Sequence, residues 1–523
     1  MGCHDFGAST GYTTTVNMRV DVIASPAKYR KMPLFFLGVL AVLPAIGLLS
    51  VYWWLHDEAD RYDDTRSAVE LLSANDDDRS TASRSETERV EKAAILSTSL
   101  LDYRRLPDAV AGSASANRLK AEVAGALTLI DDRSCAAISV DGNAVGVANE
   151  TISVIPASTV KLIVGAVALE VLGPDFTYET SVRTSPAVDG VVDGDVYLVG
   201  GGDPLLTSND YPTDDDPLPA FATTSLDVLA DALVEAGIER INGSVIGDGT
   251  RYDDEFVIDS WGDGVAFNDA GPYDALLVND ARVRGRSGVQ DDPNVGAARE
   301  FARLLRDRGI RVANGWGSGS ASTQSTAVAT VESQPLGEIV REMLTNSDNN
   351  TAELLVKELG YSEAEDGTRF AGLVVIDRVL REWGVPLDGV RLIDGSGLTP
   401  TTRMTCQALL AVLQRSRGTA LPTSLPIAGQ TGTLRSEFID SGVEGRLFAK
   451  TGTLRNPPVD ELPLASKALA GYVSGGNGAA VEFVVVLNAD EISQDAYRLI
   501  WAAFGQRFAT FPEAPPVEDL KPR

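Results

Sequence analysis

Ser158 and Lys161 stand three positions apart in the run Ile155-Pro156-Ala157-Ser158-Thr159-Val160-Lys161-Leu162. On a helix such residues share a face, so the lysine amine can lie beside the hydroxyl. A serine hydroxyl is a poor nucleophile at neutral pH and needs a neighbouring base to take its proton. A partly desolvated lysine can lose its own proton and serve as that base. The chain has only two histidines, His4 and His56, and none beyond them. A Ser-His-Asp triad downstream is therefore excluded, as is a histidine-ligated zinc site. Alone, the pair also fits a cap serine followed by a surface lysine. Two further clusters add weight to the catalytic reading. Ser347-Asp348-Asn349 falls between two helical stretches, and Lys450-Thr451-Gly452-Thr453 precedes a strand-like stretch.

Taken in order, these elements resemble the S-x-x-K, S-x-N and K-T-G site of the penicillin-binding proteins and class A β-lactamases. The resemblance implies a role for each part. Ser158 attacks and Lys161 takes its proton. Ser347 relays a proton to the leaving amine and Asn349 holds the peptide amide. Lys450 supplies charge for a substrate carboxylate, and Thr451 adds a hydroxyl beside Gly452. The backbone N–H groups of Ser158 and Thr453 form an oxyanion hole. From Ser158 to Ser347 the chain runs 189 positions, far more than in ordinary β-lactamases.

That long gap is similar to the D-alanyl-D-alanine carboxypeptidase/endopeptidase family, the class C low-molecular-mass penicillin-binding proteins. Its members carry extra domains between the first two motifs. Gly200-Gly201-Gly202-Asp203-Pro204, Asp394-Gly395-Ser396-Gly397-Leu398 and Gly432-Thr433-Leu434-Arg435 agree with family phrases, and the likeness covers roughly residues 98–510. The implied fold is an α/β (α+β) serine β-lactamase/transpeptidase-like catalytic domain with a β-rich insertion. The implied activity is D-Ala-D-Ala carboxypeptidase on peptidoglycan stem peptides, with or without endopeptidase action, inhibited by β-lactams and needing no metal or organic cofactor. Some members bind a diaminopimelate centre through an acidic residue of the insertion and an arginine after the Asp-Gly-Ser-Gly-Leu phrase. The nearest positions are Asp248 and Arg403, for which a solvated turn and a helix start are competing readings. A serine β-lactamase and a non-catalytic wall-binding protein are the rival functions. No deacylating carboxylate can be assigned for the first, and the second has no need of Lys161.

Several elements must hold this site. Residues 98–178 and 333–511 are expected to form the catalytic domain, with 179–332 inserted. Within the first part, 136–140 and 144–147 read as a hairpin about Asp141-Gly142, followed by an apolar helix to Leu172 that Gly173-Pro174 closes. Near the end, 468–473 and 481–487 read as strands and 494–508 as a helix. Asp394-Gly395-Ser396-Gly397 is a turn supporting the site, since no histidine exists to make it a nucleophile elbow. Gly200-Gly201-Gly202 lacks the spacing of a dinucleotide loop. Asp214-Asp215-Asp216 reads as a solvated loop.

Residues 32–55 carry no charge over 24 positions, enough to cross a bilayer. Lys28, Arg30 and Lys31 before it and Asp57, Glu58 and Asp60 after it place segment 1–31 in the cytoplasm and the bulk outside. The expectation is a single-pass membrane protein with an extracytoplasmic catalytic domain, a polar spacer at 56–97 and a disordered tail at 512–523. A cleaved signal peptide is the competing reading of 32–55, against which stand the length of the run and the lack of a clear small-x-small site after it. Such an anchor and spacer look like an addition seen in actinobacterial family members. A formal charge of −29 argues against nucleic acid. The charge does not define an oligomeric state. Of three cysteines, Cys135 and Cys406 fall in the outer part, either as two buried thiols or as a bridge. The family phrases put both in the catalytic domain, where a bridge is conceivable.

Overall fold

The computed structural model describes residues 107–512, apart from 212–217, 263, 283, 285–287, 456–463 and 476–478. The expected spanning segment, the spacer, the Asp214–Asp216 loop and the tail from 513 lie outside the described residues. Among the described residues no helix is long and apolar enough to cross a membrane.

Helix α1 (Pro107–Leu127) leads into a hairpin of β1 (Cys135–Val140) and β2 (Asn143–Ala148). A 3-10 turn, Ala157–Thr159, then opens helix α2 (Val160–Val171). The middle of the chain supplies β3 (Glu179–Thr184), β4 (Val196–Val199), α3 (Asp227–Glu235), β5 (Val245–Asp248), α4 (Pro293–Asp307), β6 (Trp316–Ser318) and β7 (Thr326–Glu332), besides two-residue strands. Helices α5 (Leu336–Asn346), α6 (Asn349–Ala364), α7 (Arg369–Glu382) and α8 (Cys406–Arg415) follow. Strands β8 (Leu447–Arg455), β9 (Leu464–Ser474) and β10 (Ala480–Ile492) and helix α9 (Gln494–Phe508) complete the chain.

The first sheet runs β8-β9-β10-β1-β2, antiparallel throughout, so early and late strands meet in one sheet. Its alternation decides what covers each face. Ala137, Ala468, Ala470, Val484 and Val486 face a core shared with Leu162, Ile163 and Val167 of α2, Met343 of α5, Leu355 of α6 and Leu409 of α8. Ala136, Ile138, Phe483 and Val485 face the opposite way, against Leu119 and Val123 of α1 and Trp501, Phe504 and Phe508 of α9. Small residues on the first of these faces let α8 approach the sheet closely.

A second sheet, β6-β5-β4-β3-β7, lies within 179–332. It has parallel β6–β5 and β5–β4 pairs, whereas β4–β3 and β3–β7 are antiparallel. The segment expected to be β-rich thus carries helices as well. Asp292 caps α4 by accepting from the N–H groups of Asn294 and Val295, with Pro293 at the first helical position. Ala297, Ala298, Phe301, Ala302, Leu304 and Leu305 then bury one face of that helix. Its many arginines hide this period when the segment is read only for glycine, aspartate and turns. Residues 252–281 form a separate cluster in which Trp261 and Tyr273 pack with Leu354 of α6 and Leu398.

Cys135, at the start of β1, and Cys406, at the start of α8, are joined as a disulfide across 271 positions. Both are fully buried. Replacing the pair by serine is expected to lower stability by about 3–5 kcal/mol, because the bridge closes a long loop in the unfolded chain. Thermal unfolding of the double variant against wild type, without reductant, measures this.

Candidate active site

Ser158 sits in the Ala157–Thr159 turn, so its hydroxyl enters the cleft at the start of α2. Ala157 has a positive φ of 48°, an unusual backbone for a residue with a side chain, placed next to the serine. One turn on, Lys161 is completely buried. Its Nζ lies 3.0 Å from Ser158 Oγ, 2.6 Å from Asn349 Oδ1 and 2.9 Å from the Ser396 carbonyl oxygen. Two of those partners can only accept. When the amine is neutral its two N–H bonds go to Asn349 and Ser396, which leaves the lone pair facing the Ser158 hydroxyl. Burial pushes the Lys161 pKa down to about 8, against the opposing pull of Glu353, Asp348 and Asp394. The amine is thus within reach of neutrality at working pH.

The turn expected at 394–397 provides the Ser396 carbonyl. Asp394 accepts from the N–H groups of Gly397 and Thr399, from Thr402 Oγ1 and from the Trp261 indole. Glu353, buried in α6, accepts from the N–H groups of Gly395 and Ser396. Burial, then the nearby Asp394, raises the Glu353 carboxyl to about 7. Gly397 has φ 80°, and a Cβ there would meet the Ala157 carbonyl oxygen at 2.1 Å. The turn is therefore pressed directly against the backbone that carries Ser158.

Ser347 ends α5 with a left-handed φ of 66°. Asp348 caps α6 by accepting from Thr351. Asn349 enters α6 with its Nδ2 donating to the Asp269 carbonyl at 2.6 Å. Both ends of that amide are engaged inside the protein, so Asn349 orients Lys161, a task beyond the amide-holding role expected of it. Lys450, on β8, is buried and donates to Ser347 Oγ at 2.7 Å and to the Thr451 carbonyl at 2.9 Å. Burial, then the charge of Lys161, holds its pKa well below the ordinary value. Gly452 lets β8 pass close to the nucleophile turn, since a Cβ would meet the Pro156 carbonyl at 2.8 Å. Thr451 and Thr433 share a hydroxyl contact of 2.9 Å, and Thr453 accepts from Lys467 at 2.8 Å.

A cleft of about 330 Å³ gathers Ser158, Ser347, Asn349, Thr451 and Thr453, with Trp261 and Leu398 as apolar walls. All three motifs therefore meet. Asp248 and Arg403 do not line this cleft. Asp248 accepts from the Thr250 hydroxyl and N–H and from the Ala321 N–H. Arg403 donates to the carbonyls of Pro400 and Thr402. Arg403 is engaged in its own turn, and Asp248 ties the turn at Thr250 to the distant Ala321. Glu353, Asp269 and Lys467 are the participants that the sequence phrases did not point to, whereas Thr433 belongs to the Gly432–Arg435 phrase. No cluster suited to a metal ion occurs among the described residues.

Residues 137–289 and 277–507 match the model of the D-Ala-D-Ala carboxypeptidase 3 (S13) family. The chain belongs to that family. Among relatives, the D-alanyl-D-alanine carboxypeptidase of Actinomadura sp. (strain R39) is 28% identical over 420 residues, covering 64% of this chain and 73% of that one. Carboxypeptidase DacB of Mycolicibacterium smegmatis is 28% identical over 351 residues, covering 64% and 71%. In fold, this S13 chain is similar to penicillin binding protein 4 (dacB) from Haemophilus influenzae, at TM-score 0.60 and 19% identity, over 73% of this chain and 97% of that one. The same protein complexed with a β-lactam gives TM-score 0.55 at 19% identity, over 74% and 98%. The S13 chain is a serine hydrolase of the D-Ala-D-Ala carboxypeptidase type.

Two outcomes follow from this geometry. The rate of Ser158 acylation at low substrate should rise with pH and level off above about 8, because the amine must be neutral to accept the proton. A solvent-exposed lysine would place the inflection near 10.4, about two units higher. Gly397→Ala should slow acylation by about tenfold or more through the displaced nucleophile turn, as measured by stopped-flow mixing with a chromogenic β-lactam.

Proposed function

We propose that this S13 chain removes the terminal D-alanine from D-Ala-D-Ala stem peptides through an ester on Ser158. The contact between Lys161 Nζ and Ser158 Oγ, inside a cleft shared with the other two motifs, carries the reading. Neutral Lys161 takes the Ser158 proton as the oxygen bonds to the carbonyl carbon of the penultimate D-alanine. The backbone N–H groups of Ser158 and Thr453 receive the negative oxygen. As the C–N bond breaks, D-alanine departs with the proton that Ser158 gave up, delivered through Ser347. Ser347 Oγ accepts from Lys450, which leaves its own hydrogen free for that transfer. Water then attacks the ester, its proton goes to Lys161, and Ser158 recovers a proton as the trimmed peptide leaves. Cross-linked peptides can enter by the same ester.

β-Lactams acylate Ser158 as substrate mimics. Fast release of penicillin, the β-lactamase reading, lacks support in the site's carboxylates. Glu353 and Asp394 are buried and spent on backbone N–H groups of the 394–399 turn. We further propose that residues 32–55 anchor the chain in the cytoplasmic membrane with the catalytic part outside. The charge asymmetry around that segment supports this, as does a disulfide that needs an oxidising compartment.

Intact-mass labelling with benzylpenicillin tests the assignment. Wild type should gain one penicillin mass and Ser158→Ala none. Wild type should also release D-alanine from purified pentapeptide muropeptides. Labelling that persists in Ser158→Ala would overturn the role of Ser158.

A further inference from the structure

The cleft contains two threonines of β8 with a lysine beside each. Lys450 is buried beneath Thr451 and has committed its ammonium to Ser347 Oγ and the Thr451 carbonyl. Two of the amine's hydrogens are thus spent inside the protein. The second lysine is Lys467 on β9, the register partner of Thr453. Its Nζ donates to Thr453 Oγ1 at 2.8 Å. It also lies 4.5 Å from the Tyr497 ring centre and 5.2 Å from that of Trp501, both on α9. Glu437, the nearest acidic influence, is held by Arg498 at 2.8 Å. Burial lowers the Lys467 pKa to about 8, against the opposing pull of Glu437, so the amine is an ammonium below that pH.

An ammonium only donates, so Thr453 Oγ1 accepts from Lys467 and must direct its own hydrogen elsewhere. Thr453 lines the cleft that holds Ser158. We propose that Lys467 is a positioning residue that makes the Thr453 hydroxyl a donor into the cleft, and so selects substrates whose leaving group carries a free carboxylate. This rests on the acyl-enzyme reading above and adds to it the residue that turns a cleft hydroxyl toward the carboxylate of the leaving D-alanine. The aromatic rings hold the lysine in place through cation–π contact, so the donor direction is set before substrate arrives.

The test compares paired ligands differing only in that carboxylate. Benzylpenicillin is set against its methyl ester for acylation rate, and an acyl-D-Ala-D-Ala peptide against its C-terminal amide for kcat/KM. Lys467→Met should lower the rate for the free acids by about tenfold, mainly through KM for the peptide, and change the ester and amide by less than about threefold. Lys467→Arg, which keeps a cation able to stack on the rings, should restore most of the preference. Equal losses on acid and ester, or no loss on either, would overturn the inference. Thermal unfolding of each variant separates misfolding from a change in selectivity. Wild-type hydrolysis of the peptide acid is the independent control on the functional reading. Its failure would remove the peptide assignment, and the penicillin pair would still decide the role of Lys467.

Discussion

A primary amine with no access to water, held by three oxygen atoms, is the constraint around which this molecule is organised. Desolvation disfavours the charged form of Lys161, while the nearby carboxylates of Glu353, Asp348 and Asp394 favour it. The balance leaves a base that is strong enough to take a serine proton and still able to release it. Fixing that balance requires Asn349 and the Ser396 carbonyl to hold their positions to within a fraction of an ångström. Helix α6, the 394–399 turn and the loop around Asp269 are built to that end.

Support for the lysine spreads outward in a chain of hydrogen bonds. Glu353 fixes the N–H groups of Gly395 and Ser396, Asp394 closes the turn, and the Trp261 indole reaches Asp394 from the inserted segment. Asp269, also inserted, holds the far end of the Asn349 amide. The middle of the chain is therefore more than an appendage. It supplies one wall of the cleft and two of the contacts that orient the catalytic apparatus.

The parts of the site that were legible in the sequence are those whose chemistry is local. Ser158, in the 3-10 turn that opens α2, lies one turn before Lys161, and Lys450 to Thr453 lie along one strand. Their residue types alone state what they can do. The hairpin at 135–148 and the last strands and helix were legible for a similar reason, since short apolar runs rich in β-branched residues, such as that of β10, read directly as strands buried on both faces. Glu353 was not legible, because it acts on backbone N–H groups forty positions away, and any residue could provide those. Lys467 was hidden because its meaning depends on strand register, which places it opposite Thr453. Asp248 and Arg403 are the converse case. Their types suited a binding role, but neither lines the cleft around Ser158, and their partners are backbone groups and the Thr250 hydroxyl.

The order of strands in the first sheet has a temporal side. β1 bonds to β2 on one edge and to β10 on the other, and β10 lies more than three hundred residues later. While the chain is being made, the serine and its lysine emerge early. The wall formed by β8 does not exist until nearly the whole polypeptide has appeared. A half-finished molecule thus carries the nucleophile with no cleft around it, and hydrolytic competence arrives all at once when the last strands slot beside the first.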